Sequence, residues 1–274
     1  MSDGPVKLRF AANLSFLFQD IACLPERYIA AKRAGFSGVE CADPYSVAIN
    51  VLVEAKENAK VEQVLLNSFK GDTSGLAAVP NRQDEFQQCL ELSIQYCTAL
   101  KCKRLHIPSG VYPEGDNEEK ESLWRETFIQ NLRYASQRVA LDNITILIEP
   151  ISNIHNYFLS QTDQAIEIIK ELNCDNVKLL LDLYHHQRTH GDITNTLSNY
   201  LPYIGHIQIS QVPDRNEPDS NGEINYTFVF NHLLRIGYSG WIGCEYVPQD
   251  SKGLGWIEPY LQRDDDMELR VIKS

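Results

Sequence analysis

The sequence lacks the features that mark several large classes of protein. No apolar run approaches the 20 or so residues that a membrane-spanning helix needs. Basic residues are in the minority, because 25 Lys and Arg stand against 37 Asp and Glu, and the net charge is −12. This balance argues against nucleic acid and anionic membranes as partners. The glycine-rich motifs G-x-G-x-x-G after a first strand and G-x-x-x-x-G-K-[ST] are also missing, which argues against a common nucleotide-binding fold.

The cysteines do not form a recognisable framework. There are seven, an odd number, and none is arranged as C-x-x-C. We interpret them as reduced thiols, which are typical of a cytoplasmic protein. The first ten residues, MSDGPVKLRF, do not have the layout of a signal peptide, so we expect a cytoplasmic location.

Short apolar runs alternate with longer amphipathic segments along the whole chain. Eight runs predict strands, and the segments between them, with a last one after Gly255, predict helices. The predicted strands lie near Leu8–Ala12, Gly38–Glu40, Val61–Asn67, Arg104–Ile107, Thr145–Glu149, Val177–Asp182, Ile204–Ile209 and Gly240–Glu245.

This alternation predicts an α/β fold with a parallel sheet and helical crossovers. At 274 residues, a closed (β/α)8 TIM barrel is favoured over an open, doubly wound sheet. We find no low-complexity linker and no break in composition. We therefore expect a single domain over residues 1–274.

Four of the later predicted strands carry an oxygen-bearing side chain at or near the end of the run. These residues are Glu149, Asp182, Gln208 and Glu245, with spacings of 33, 26 and 37 residues, about one βα unit each. In an α/β barrel the carboxyl ends of the strands meet at one mouth, where the active site lies. We therefore expect the four side chains to converge there.

Three carboxylates in one buried place repel one another and lose their hydration. A divalent cation removes both difficulties, and carboxylate and amide oxygens without thiolates suit Mg²⁺ or Mn²⁺ better than Zn²⁺. The four residues therefore predict a site for one such ion. For any one of them, a helix cap or a salt-bridge partner is the alternative interpretation.

Histidines lie close to the same predicted strand ends. His185, three residues after Asp182, is a candidate metal ligand, proton-transfer group or substrate donor, or else a loop histidine bonded to the backbone. His186 is interpreted as structural. His106 ends the fourth predicted strand and is a candidate substrate or outer contact of the site, or a packed polar residue.

A polar stretch rich in proline and glycine, QVPDRNEPDSNGEINY, follows the seventh predicted strand. Its Arg215 is a candidate for binding a substrate carboxylate through a two-pronged contact. The alternative is a surface arginine paired with Glu217 or Asp219.

These residues stand in stretches that resemble the hydroxypyruvate isomerase family, within the xylose-isomerase-like superfamily of metal-dependent isomerases and epimerases. The resemblance covers nearly the whole chain. It is carried above all by LLLDLYHHQ (Leu179–Gln187), GHIQISQVPDRNEPDSNGEINY (Gly205–Tyr226) and GYSGWIGCEYVP (Gly237–Pro248), together with GFSGVE (Gly35–Glu40) and ILIEPI (Ile146–Ile151).

The resemblance implies a barrel with one divalent metal and a small hydroxy-keto acid as substrate. Its implied metal ligands are Glu149, Asp182, Gln208 and Glu245, and its implied acid/base pair is Glu149 and Glu245. His185 and Arg215 would contact the substrate. The implied reaction interconverts hydroxypyruvate and tartronate semialdehyde through a cis-enediolate.

Three other functions are weighed against this one. A ketose or ketose-phosphate 3-epimerase would use the same chemistry, but the resemblance implies histidine rather than Gln208 in that branch. An apurinic endonuclease would need three zinc ions with many more histidines than the seven here, and a surface less acidic than this one. A barrel that binds a metabolite without catalysis is the third. The sequence leaves open whether the chain forms a homo-oligomer.

Overall fold

Eight parallel strands close into a barrel in chain order, with the first strand paired to the last. The computed structural model describes residues 7–71, 73–113, 118–249 and 253–260. The predicted (β/α)8 barrel is thereby confirmed, while the expectation of one domain over all 274 residues stays a prediction. The strands are Arg9–Asn13 (β1), Gly38–Cys41 (β2), Glu62–Asn67 (β3), Arg104–His106 (β4), Thr145–Ile148 (β5), Val177–Asp182 (β6), Ile204–Ile209 (β7) and Trp241–Cys244 (β8).

Helices connect the strands and surround the barrel. None that lies in the described ranges is both long and apolar enough to cross a membrane. Short 3₁₀ helices lie at Ala140–Asp142, Leu201–Tyr203 and Gly255–Tyr260. The α-helices are Leu24–Arg33 (α1), Ile49–Ala59 (α2), Gln83–Leu100 (α3), Glu118–Val139 (α4), Thr162–Leu172 (α5), Leu183–Thr189 (α6), Ile193–Tyr200 (α7) and Tyr226–Arg235 (α8).

The strands are apolar because helices cover their outer face and other strands face them inside the barrel. The large core between strands and helices joins residues such as Phe36 and Phe128. A smaller cluster from β1, β3, β5, β6 and β8, including Leu147 and Trp241, packs within the barrel. Gly38 makes room for it, since a Cβ there would lie 2.7 Å from the Trp241 ring. The barrel interior is therefore packed with side chains.

One helix of the structure was not predicted. Helix α6 begins directly after β6, at a place where no helix was predicted and a loop histidine was one interpretation of His185. The Asp182 side chain starts the helix by accepting a hydrogen bond from the Tyr184 N–H at 2.8 Å. At seven residues, α6 is too short for a helical repeat of apolar residues to identify it in the sequence.

Candidate active site

Three carboxyl groups meet at the mouth of the barrel, and we call Glu149, Asp182 and Glu245 the carboxylate cluster. Asp182 is the last residue of β6, and the two glutamates directly follow β5 and β8. Glu149 and Asp182 are buried, and 12% of the Glu245 side chain is exposed. The folding of three separate βα units therefore brings three acidic groups into one place.

The charge state of the cluster is set by its surroundings. Burial raises the pKa of Glu149 well above its usual value, and the charges of Glu245 and Asp182 raise it further. Burial also raises the pKa of Glu245 to about 8, with Arg215 opposing the shift and Asp182 adding to it. The two glutamates therefore favour their protonated forms unless a cation balances them.

The two carboxylate oxygens of Asp182 make different contacts. Its Oδ1 accepts the helix-capping hydrogen bond from Tyr184. Its Oδ2 lies 3.4 Å from Arg215 Nη2 and 3.6 Å from His185 Nε2, on the side of the cluster. The helix cap and the site, which were competing interpretations of the sequence, are therefore compatible in one side chain.

Gln208 connects the cluster to a second polar group below it, which we call the floor and which consists of Asn13, Glu40 and His206. Gln208 donates from Nε2 to Glu40 Oε2 at 2.8 Å, and its Oε1 is buried with no hydrogen-bond partner among the described residues. His206 Nε2 lies 2.6 Å from Glu40 Oε1, and Asn13 donates to Glu40 Oε2 at 3.2 Å. The Glu40 carboxylate thus interacts with three donors.

Glu40 fits inside the barrel only because β8 carries a glycine opposite it. A Cβ at Gly243 would lie 1.9 Å from Glu40 Oε1. Asn13 and Glu40 are register partners on β1 and β2, and Gln208 and Gly243 are register partners on β7 and β8. The floor therefore depends on the pairing of four strands.

His185 lies close enough to the cluster to take part in metal binding. One atom each of Glu149, Asp182 and His185 lie within 4.8 Å of one another, a spacing that could hold a metal ion. The His185 Nδ1, however, accepts a hydrogen bond from the Ser152 N–H at 3.2 Å. Burial lowers the pKa of His185 to about 4, so the ring is neutral near pH 7. We assign its hydrogen to Nε2, which makes the atom facing the carboxylates a donor.

His106 faces the same carboxylates from β4. Its Nδ1 lies 3.5 Å from Glu149 Oε2, and neither ring nitrogen makes a hydrogen bond to the described residues. Burial lowers the pKa of His106 to about 3, with Lys70 and His185 adding to the shift. The ring is therefore neutral and has a free donor and a free acceptor at the edge of the cluster.

Arg215 reaches the cluster from the loop after β7. Its Nη2 donates to Glu245 Oε2 at 2.9 Å and lies 3.4 Å from Asp182 Oδ2. The guanidinium also lies over the Phe16 and Tyr184 rings, at 4.7 and 5.1 Å from their centroids. Arg215 thus brings a positive charge to the mouth, and none of its described contacts is to the two loop acids considered from the sequence.

His186 faces away from the mouth, although it directly follows His185. Its Nδ1 lies 2.8 Å from Thr162 Oγ1, and its ring stacks on His190. Successive residues of a helix point about 100° apart, which explains the separation of the two rings. His186 packs between α6 and α5.

The four proposed metal ligands and the three proposed substrate contacts therefore lie at one end of the barrel. Residues that touch them but were not proposed as members of the site include Glu40 and Ser152. The signal for Glu40 was available, since a carboxylate interrupts the apolar run GVEC of β2. Nothing in the local sequence of Ser152 indicates that its N–H and hydroxyl would fix the His185 ring.

Comparison with known proteins places the chain among barrels of the same fold. The family profile described as xylose isomerase-like TIM barrel matches residues 29–262. A Danio rerio protein provisionally named hydroxypyruvate isomerase is 43% identical, over 92% of this chain and 95% of its own. A 2-oxo-tetronate isomerase of Pectobacterium atrosepticum is 39% identical, over 93% of this chain and 98% of its own.

A solved structure extends the similarity to three dimensions. The Brucella melitensis protein named AP endonuclease, family 2, has 39% identity and a TM-score of 0.89, over 93% of this chain and 100% of its own. The profile and the identities lead to the same family as the residues at the strand ends. The chain belongs to the hydroxypyruvate isomerase family of xylose isomerase-like TIM barrels, and it is an isomerase.

Proposed function

We propose that the chain interconverts hydroxypyruvate and tartronate semialdehyde. These three-carbon acids differ by the exchange of a carbonyl and a hydroxyl group between neighbouring carbons. The observation that carries the proposal is the presence of Glu149 and Glu245, both with a raised pKa, at one barrel mouth beside Arg215. Two proton-transfer groups next to a cation suit the isomerisation of an acid.

We propose Glu149, Asp182, Gln208 and Glu245 as ligands of one divalent metal ion, Mg²⁺ or Mn²⁺. The residues fit such an ion, because three carboxylates share the mouth with an amide oxygen, Gln208 Oε1, that is buried and has no hydrogen-bond partner among the described residues. When bound, the ion would polarise the substrate carbonyl and stabilise negative charge on its oxygens. His185 is left out of the set, since its Nδ1 accepts from Ser152 and its Nε2 therefore carries the hydrogen.

The two glutamates transfer the protons. One carboxylate accepts a proton from C3 of hydroxypyruvate, which leaves an enediolate over C2 and C3. The other carboxyl group donates a proton to C2, and the proton of the C3 hydroxyl passes to the C2 oxygen, so that C3 becomes the aldehyde and C2 carries the hydroxyl. In the metal-free site burial raises the pKa of Glu245 to about 8, and a bound cation would lower it toward the working pH, where groups serve such exchange best.

Three further residues bind the substrate in this proposal. The Arg215 guanidinium pairs with the substrate carboxylate, and the Phe16 and Tyr184 rings keep it at the mouth. His185 donates from Nε2 to a substrate oxygen, while Ser152 fixes its ring. His106 offers a neutral ring to the other side of Glu149.

Turnover of hydroxypyruvate with and without metal tests the proposal. The purified protein is treated with a chelator, dialysed, and assayed in D₂O by proton NMR before and after Mn²⁺ or Mg²⁺ is added. We expect product, and deuterium at the reacting carbons, only after the ion is restored. Full activity after exhaustive chelation would show that the reaction needs no metal. No turnover under any condition would show that hydroxypyruvate is not the substrate.

A second substrate is favoured by one of the relatives. The Pectobacterium protein is named for 2-oxo-tetronate, a four-carbon acid with the same 2-oxo carboxylate end as hydroxypyruvate. Arg215 would serve either acid, but it has no charged partner in a neutral ketose. Comparing kcat/KM for hydroxypyruvate, 2-oxo-tetronate and C5 and C6 ketoses ranks the three. A preference for a ketose would favour the epimerase alternative.

A further inference from the structure

The side-chain amide of Gln208 can act on the site in two opposite ways. Its oxygen could bind a cation, or its NH₂ group could repel one, and the two orientations differ only by a rotation of the amide. In the structure, Nε2 donates to Glu40 Oε2 at 2.8 Å, and Oε1 is buried with no hydrogen-bond partner in the part of the chain that the structure describes. Something must therefore hold the amide in this orientation.

Glu40 supplies the required acceptor. Only 1% of the residue is exposed, so it has almost no contact with water. Its Oε2 accepts from both Gln208 and Asn13, and its Oε1 lies 2.6 Å from His206 Nε2. A reversed Gln208 would place its oxygen against a carboxylate oxygen at hydrogen-bonding distance, which is repulsive.

The neighbours of Glu40 are also held in one orientation by their contacts. Asn13 Oδ1 accepts from the Ser15 N–H at 3.0 Å, so its NH₂ group is the end that faces Glu40. Gly243 leaves the space that the carboxylate occupies. Residues on β1 and β8 therefore fix the position of Glu40 on β2, and Glu40 can impose an orientation on Gln208 of β7.

We propose that Glu40 is a positioning residue for the metal site, which holds the Gln208 amide so that Oε1 faces the carboxylate cluster. Glu40 does not contact the ion or the substrate in this assignment. It acts through Gln208, as groups behind the ligands commonly do in metal sites. The inference rests on the proposed function, because it takes Gln208 to be a ligand.

A double-mutant cycle on metal affinity tests the proposal. Mn²⁺ is titrated into metal-free protein, and free Mn²⁺ is followed by electron paramagnetic resonance for wild type, Glu40→Ala, Gln208→Ala and the double variant. We expect Glu40→Ala to weaken binding about 10- to 100-fold in the wild type. In the Gln208→Ala background we expect a loss of less than about threefold, since no amide remains to be oriented.

The cycle separates positioning from the loss of one negative charge. The charge of Glu40 attracts the ion equally in both backgrounds, so its contribution cancels in the comparison. Gly243→Ala is a second test, because it displaces the carboxylate without removing a charge or a hydrogen-bonding group. It should weaken Mn²⁺ binding in the same direction.

A matched control shows whether general destabilisation could produce the result. Gln63 is a buried polar residue of β3 whose amide accepts from Tyr28 and donates to backbone carbonyls. Gln63→Ala should lower the melting temperature and leave the Kd for Mn²⁺ within about twofold, which is well below the 10- to 100-fold range of a disturbed ligand shell.

The outcomes separate this inference from the proposed function. An equal loss of affinity in both backgrounds would overturn the positioning role. Wild-type Mn²⁺ affinity in folded Gly243→Ala or Glu40→Ala would also overturn it. Wild type that binds no Mn²⁺ would instead overturn the metal site itself, and the inference with it. Unchanged binding in Gln208→Ala would remove Gln208 from the ligands.

Discussion

Two glutamates inside the same barrel, Glu40 and Glu149, have opposite surroundings. Glu40, in the floor, interacts with Asn13, His206 and Gln208. Glu149, in the carboxylate cluster, accepts no hydrogen bond from the described residues, and the histidine nitrogens near it lie 3.5 and 3.9 Å away. Both side chains are buried.

The difference separates a carboxyl group that the protein compensates from one that it does not. Buried carboxylates cost free energy unless donors or cations compensate them, and Glu40 is compensated by the protein itself. Glu149 is not, and its pKa is raised for that reason. A polar group that the fold leaves uncompensated is a candidate for binding or chemistry, because a ligand can supply what is missing.

The largest expected effect is on turnover, and it tests whether the carboxylate cluster carries the chemistry. Glu149→Gln and Glu245→Gln should each lower kcat about 10²- to 10⁴-fold, because an amide can neither accept nor return the proton. Activity is measured with hydroxypyruvate and Mn²⁺. The control is Glu62→Gln, at the amino end of β3 and so away from the mouth, which should keep wild-type activity. Normal turnover in either variant would show that the carboxylate cluster does not carry the chemistry.

A smaller effect, on substrate binding, is expected from Arg215, the cation at the barrel mouth. Arg215→Lys keeps the charge but loses the planar pair of donors, so the KM for hydroxypyruvate should rise about 10- to 100-fold. Initial rates over a range of substrate concentrations give this value. Arg125→Lys, which alters a surface pair with Glu171, should leave KM unchanged. An unchanged KM in Arg215→Lys would remove the residue from substrate binding.

The two glutamates should affect stability with opposite signs in metal-free protein. The raised folded-state pKa of Glu149 means that its stabilisation, complete below the unfolded pKa of about 4.3, is lost as pH rises toward the folded value. Glu149→Gln should therefore raise the melting temperature at about pH 8, by about 2–4 °C per kcal/mol, and by less at about pH 5. Glu40→Ala should lower it at both values, since three donors lose their acceptor.

Circular dichroism melts in the presence of a chelator measure both variants against the wild type. The contrast between the floor and the cluster would fail if Glu149→Gln lowered the melting temperature at about pH 8. It would also fail if Glu40→Ala left the temperature unchanged, because the floor would then contribute nothing to stability.

The smallest expected effect concerns the adjacent histidines. His186→Gln should change kcat less than about threefold, well under the loss expected of a residue that assists proton transfer. Its ring bonds to Thr162 and lies outside the cluster. His185→Gln, assayed in parallel, should raise KM or lower kcat by more. Equal effects of the two variants on kcat/KM would contradict their separation.

Much of the site could be predicted because the order of the strands along the chain determines their positions in a barrel. Once eight strands alternate with helices, the strand ends must meet, and Glu149, Asp182, Gln208 and Glu245 could be assigned to one mouth from their spacing alone. Arg215 and His185 were indicated by their residue type, although several roles stayed open for each.

The remaining features depend on contacts between residues far apart in the chain. Helix α6 was missed because its start is fixed by a single side chain, Asp182, rather than by a pattern. The role of Glu40 requires β1, β2, β7 and β8 to lie side by side, since its partners are 27 to 168 positions away. The orientation of His185 depends on Ser152, 33 residues away.

Apolar periodicity and the residue types at strand ends are local properties, so they predicted the barrel and its mouth, and the resemblance of the motifs predicted the family. The charge states and orientations within the site follow only from the folded barrel. Burial raises the pKa of Glu149 and Glu245, and Glu40 fixes the direction of the Gln208 amide. Both effects arise from distances between side chains on different strands, and these distances exist only once the barrel has closed.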